Sequence, residues 1–188
     1  MQFEQLAELH CAFEGTKLSI HHRGRRVASG DMDRDDGIAE IEEFFASLVG
    51  HQIPGTPHLM RVTDGSYADT KDALISLGGT ASVASFGTAT GTRPDQRRFR
   101  LNIMLNTKTP FAENALVGKR VRLGDAELRI VAPVGRCAAI DVDPETAVRG
   151  PHYLPVMEQA FGHTDLGIFA EVLTGGQINT GDNLVILD

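Results

Sequence analysis

The sequence predicts a mainly β fold with a few helices, an α+β chain whose strands curl into a closed or nearly closed barrel. Three observations carry that prediction. Short stretches alternating apolar and polar residues recur through most of the chain, as in half-buried strands. Glycine, proline and aspartate punctuate them at short intervals. Only one long stretch, residues 36–49, repeats its apolar residues at helical spacing.

Residues 17–29 read as two short strands joined at Arg23–Gly24, a hairpin signal. In 36–49, Ile38, Ile41, Phe44, Phe45, Leu48 and Val49 share one helical face; Asp35 or Asp36 caps its start and Gly50 ends it. Residues 51–58 hold two prolines and form a loop. Strands are expected at 58–63, 73–77, 98–105, 119–124, 127–134, 138–142, 168–173 and 183–188, with a hairpin turn at Gly124–Asp125. The glycine-rich stretch 87–92 lacks dinucleotide-binding spacing and reads as a surface loop. Residues 153–161 form a short helix broken by Pro155. Two parts are expected: 1–57, carrying the helix, and 58–188.

Composition removes several functions. The 188 residues are 41% hydrophobic and 23% charged, a globular balance. The net charge of −7 and a pI near 5.5 argue against nucleic acid as a partner. Trp is absent and Tyr numbers 2, which leaves little for base stacking. No run of about 18 apolar residues exists, so no membrane helix is expected. The first 15 residues lack the basic and apolar regions of a secretory leader. Two cysteines, Cys11 and Cys137, make neither a disulfide framework nor a four-cysteine zinc site. A cytoplasmic, reducing location is therefore expected.

The charge is uneven. Residues 91–136 carry ten basic and four acidic side chains, +6 within a chain of −7. Such a stretch is either an anion-binding surface or a set of solvated strand faces. If 98–105 is a strand, Arg98, Arg100 and Asn102 share one face and Phe99, Leu101 and Ile103 the other. Guanidinium forks suit phosphate and carboxylate oxygens, and an amide reads a heterocycle edge. Cys137 follows an apolar strand and adjoins Arg136. Cationic neighbours favour the thiolate, which attacks sulfur or binds a soft metal; a small buried hydrophobe is the other reading. Cys11 has no basic surroundings and reads as structural. Asp141, Asp143 and Glu145 are either an acid–base or divalent-cation group or an ordinary Asp-Pro turn. Seven scattered histidines show no zinc spacing.

Several fragments in order, RFRLN (98–102), FAENALVGKRVRLGDAELRIVAPVGRC (111–137), VDPET (142–146), FG (161–162) and VLTGGQINTGDNLVIL (172–187), resemble the MOSC domain, found at the C-terminus of molybdenum-cofactor sulfurases. The pattern is most similar to the amidoxime-reducing component and its bacterial relatives, and it spans roughly residues 58–188. The resemblance implies a MOSC-type β-barrel, with 1–57 a remnant of the family's N-terminal β-barrel domain that lacks its first part. It implies a molybdenum cofactor (molybdopterin) as the ligand, with Cys137 holding the metal or carrying transferable sulfur. Arg100 and Asn102 match residues that hold the pterin, Ser82 matches a serine near the cofactor, and Arg98 and Arg136 are further cofactor-binding candidates. For the family as a whole it also carries pyridoxal phosphate binding.

The implied activity is reduction of N-hydroxylated or N-oxide compounds. It needs an external electron donor protein, since no flavin, haem or iron–sulfur motif is present. A persulfide sulfur carrier served by a cysteine desulfurase, or a non-catalytic binding barrel, are the alternatives. The chain departs from the family pattern at Gly135, where proline precedes Arg-Cys, and at Ala147, where glycine follows Asp-Pro-x-Thr.

Overall fold

The structure is a computed structural model and describes residues 3–62 and 72–188. Its contacts divide the chain into two compact units, Met1–Thr63 with Val142–Arg149, and Asp64–Asp141 with Gly150–Asp188. No helix among the described residues is long and apolar enough to cross a membrane.

The first unit is an antiparallel meander of β1 (Leu9–Glu14), β2 (Lys17–His22) and β3 (Arg25–Asp31), followed by α1 (Asp35–Val49). The predicted hairpin turn is real: Arg23 and Gly24 have φ of 50° and 77°, the positive pair that matches strand twist. Leu18 and Ile20 of β2, Ala28 of β3 and Ile41 of α1 form the core, with Phe44 and Phe45 packed against it. β3 and α1 approach at two glycines; a Cβ on Gly30 would lie 2.0 Å from the Gly37 carbonyl oxygen, so neither position admits a side chain. The helix start differs from expectation. Arg34 is its N-cap without a side-chain cap bond, while Asp35 and Asp36 lie in the first turn, where the helix dipole favours them. Cys11 is exposed on β1, an edge strand, so its reading as a buried hydrophobe is corrected. Residues 58–62 form no strand, and the last residue of that expected strand lies outside the described residues.

The second unit is built on six strands: β4 (Leu74–Gly79), β5 (Ile103–Leu105), β6 (Arg120–Leu123), β7 (Ala126–Gly135), β8 (Asp165–Thr174) and β9 (Leu184–Ile186). Their order is β5-β4-β8-β7-β6-β9, with only β4 and β5 parallel. The expected barrel is thus a curled half-barrel, mainly β with three α-helices among the described residues. Leu77, Val121, Leu128, Ile130, Ile168 and Ala170 fill one core. Two helices, α2 (Thr80–Thr90) and α3 (Leu154–Phe161), serve a second, built on Val83, Phe86, Phe99, Ile140, Tyr153, Met157 and Leu166.

Four local expectations change here. The strand expected at 98–105 is a 3-10 turn, Gln96–Phe99, then Arg100 at φ 50°, and only β5 remains extended. Residues Ala138–Asp141 are also a 3-10 turn. Of the stretch 87–92 read as a glycine-rich loop, residues 87–90 are the last turn of α2, while Gly91 caps the helix at φ 66° and Thr92 lies beyond it; the helix's small residues carry little apolar periodicity, and burial of Val83 and Phe86 replaces that signal. Pro155 sits in the first turn of α3, where its missing N–H costs nothing, instead of breaking the helix.

Candidate functional site

Two of the candidate residues, Arg136 and Arg98, stitch two irregular segments together. Arg136, just past β7, donates from Nη1 to the Phe99 carbonyl at 2.8 Å. Arg98 donates from Nη1 to the Ile140 carbonyl, also at 2.8 Å. These reciprocal bonds hold the 3-10 turn of Gln96–Phe99 against the turn that follows Cys137. Arg100 and Cys137 each stand one residue from the Arg136–Phe99 contact.

The six candidates divide by exposure. Cys137 is a free, exposed thiol, which removes its reading as a buried hydrophobe. Arg100 is exposed and its guanidinium has no partner among the described residues. Asn102 is exposed too. Its Oδ1 accepts from the Ser76 N–H and hydroxyl, both at 2.9 Å, which leaves its amide nitrogen for a ligand. Arg98, in contrast, is buried, with its guanidinium 5.6 Å from the Tyr153 ring centroid. It does not share a strand face with Arg100 and Asn102, because positive φ at Arg100 turns the chain there.

Ser82, in α2, is fully buried. Its hydroxyl donates to Glu113 Oε1 at 2.7 Å and accepts from the Phe111 N–H at 2.8 Å, so both its functions are used inside the protein. Glu113 Oε1 also accepts from the Gly79 N–H at 3.0 Å, at the start of α2. Glu113 is 1% exposed and its Oε2 has no partner. In the sequence it entered only as one of the four acids among ten bases; the apolar residues around it in FAENAL were the available sign.

Arg136 is the electrostatic centre. Burial pushes its pKa down to about 10, against the opposing influence of Cys137 and Asp165. Its Nη2 is buried without a hydrogen-bond partner among the described residues. An unpaired guanidinium N–H beside an exposed thiol is a standing demand for an acceptor, best met by an anion.

Three other bases of the +6 segment are held by acids. Arg97 pairs with Asp95 at 2.8 Å, Arg120 pairs with Glu127, and Arg129 lies 3.7 Å from Glu171. The acidic stretch resolves the same way. Asp143 Oδ1 accepts from the N–H groups of Glu145 and Thr146, both at 3.0 Å, an Asx turn. Asp141 is buried, accepting from the Tyr153 N–H at 3.0 Å and lying 2.9 Å from His152 Nδ1. Among the described residues no three His, Cys, Asp or Glu side chains gather as a metal site.

Comparison with known proteins adds the family. A MOSC domain model matches residues 63–185. Among solved structures, YiiM from Geobacillus stearothermophilus is similar, with a TM-score of 0.45 and 22% identity over 61% of this chain. The chain covers 54% of that protein, about half its length. No curated protein sequence matches. Because the domain model takes in most of the chain, including the Arg100 and Cys137 segments, this protein belongs to the MOSC domain family.

Proposed function

We propose that this MOSC protein binds the molybdenum cofactor and reduces N-hydroxylated or N-oxide compounds. The observation that carries this reading is the Arg136–Phe99 contact, which leaves an exposed thiol, an unpaired guanidinium and a buried unpaired N–H along one seam. The residues fit such a group chemically. A thiolate is a soft ligand suited to molybdenum, and guanidiniums suit the cofactor's phosphate. Its exposure leaves the Cys137 thiol open to ligation.

Cys137 would hold the metal. Arg100 would pair with the anionic group, and the Asn102 amide nitrogen would donate to the pterin edge while Ser76 fixes its oxygen. The Arg136 Nη2–H would find its missing acceptor there. Arg98 and Ser82 act one layer back, the first tying the two turns together and the second fixing Phe111. When bound, the cofactor supplies the two-electron redox chemistry. Overall, R–NHOH takes two electrons and two protons to give R–NH2 and water, and the electrons come from an external donor protein.

Elemental analysis of protein made in a molybdenum-cofactor-competent host tests this. Wild type should carry molybdenum near stoichiometry and Cys137→Ser should lose it at unchanged melting temperature. A wild-type protein without molybdenum sinks the reading.

The exposure of Cys137 also supports a second reading, a persulfide carrier. Its thiolate would attack the outer sulfur of a cysteine desulfurase persulfide, releasing the donor thiolate. A gain of about 32 Da on Cys137 after incubation with a desulfurase and cysteine supports it; an unmodified Cys137 rejects it.

A further inference from the structure

We infer that Phe111, Phe161 and His163 form a wall that binds the flat ring of an aromatic or heteroaromatic substrate beside Cys137. The inference rests on the proposed reduction for what happens to that substrate, and on geometry for the wall itself. Phe111 packs edge to face on both Phe161 and His163, while Phe161 and His163 are tilted by 33° to each other. Phe111 lies 4.9 Å from Phe161 and 4.8 Å from His163 between centroids, and Phe161 lies 6.2 Å from His163. All three residues are half-buried, and Phe161 also packs against the second core.

Their position follows from the sheet. The last ladder pair of β7 and β8 is Gly135 with Asp165, and the Arg136 N–H then donates to the Thr164 carbonyl at 2.9 Å. Cys137 and His163 come one residue beyond that step, past the end of β7 and before the start of β8, so both residues lie at the same end of the sheet.

Two features separate this cluster from incidental packing. Phe111 sits at φ 58°, a costly backbone for a bulky aromatic residue. It is held there by the Ser82 hydroxyl, itself fixed by buried Glu113. The second feature is the imidazole tautomer. The Asp165 N–H donates to His163 Nδ1 at 3.2 Å, so the ring proton sits on Nε2. That N–H has no partner among the described residues. The wall thus offers two partly exposed phenylalanines for ring contact and one donor for a substrate oxygen.

The test uses two probes with the same N–OH head, benzamidoxime with a ring and acetamidoxime without, binding to the full chain by ligand-observed NMR. Wild type should bind benzamidoxime about tenfold more tightly. Phe161→Leu should cut that preference to about threefold or less and leave acetamidoxime binding unchanged. Phe161→Tyr, which keeps the ring, should retain the preference and serves as the folding control. His163→Phe should weaken both probes by the same factor. Equal binding of the two probes by wild type, or an undiminished preference in a folded Phe161→Leu, overturns the wall. Molybdenum loading without ring preference rejects the wall alone. Ring preference without molybdenum loading supports the wall and rejects the proposed reduction.

Discussion

Arg136 places its guanidinium on the carbonyl of Phe99 at 2.8 Å while its other terminal nitrogen stays buried and unpaired. One side chain thereby joins the end of β7 to the turn that carries Arg100, and remains incompletely satisfied. A buried cation in this state contributes little to stability, because desolvation offsets what its single good bond contributes.

Arg136→Met should therefore be close to neutral for folding, within about 1 kcal/mol. Urea unfolding checks this. A loss above about 2 kcal/mol would show that the bond to Phe99 carries net stability.

Asp95 gives a pH-dependent contribution. The Arg97 side chain, and then its backbone N–H, hold the Asp95 carboxyl below its ordinary value of 3.8. A carboxyl depressed on folding stabilises the native state above its unfolded pKa and loses that contribution as pH falls through the folded one. The pair is half-exposed, so the effect is about 0.5 kcal/mol after screening. Wild type should exceed Asp95→Asn by this margin at pH 7, and the gap should close below the ordinary value of 3.8. A gap that persists in strong acid would mean that the Asn amide fails as a cap, not that charge is lost.

Ser82→Ala should cost about 2 kcal/mol, since it strands the Phe111 N–H and removes a donor from buried Glu113. Ser82→Thr keeps the hydroxyl but adds a methyl at a fully buried position, and should cost about 1 kcal/mol or more through overpacking. Denaturant midpoints for the two variants decide this; a neutral Ser82→Ala would mean the network is slack.

Ala147 has φ 55°, in the left-handed region that disfavours a Cβ. It stands where the family pattern carries glycine. Ala147→Gly should raise stability by up to about 1 kcal/mol, the relieved strain being partly offset by greater freedom of the unfolded chain. Thermal unfolding reads the sign directly; a lower melting temperature would show that the buried methyl outweighs the strain.

Legibility varied with the range of the interaction. The α1 helix, the Arg23–Gly24 turn and the β6–β7 hairpin are local in origin, and residue spacing alone exposed them. The stretch 98–102 was misread because alternation suits a strand, whereas the chain there follows a remote demand: Arg98 is drawn inward to Ile140, 42 residues on. Helix α2 escaped notice because small residues give no apolar stripe, and its start is secured by Glu113, far along the chain.

By itself the sequence determined a mainly β chain and a MOSC-type pattern, and it singled out the cysteine and arginines that we propose hold an anionic cofactor. Tertiary structure decided which of those side chains face outward. Cys137, Arg100 and Asn102 remain exposed, while Arg98 and Ser82 turn in to satisfy buried partners. The physical reason is that a polar side chain's role depends on whether water or protein completes its hydrogen bonds, and the partners that settle this come from distant parts of the chain.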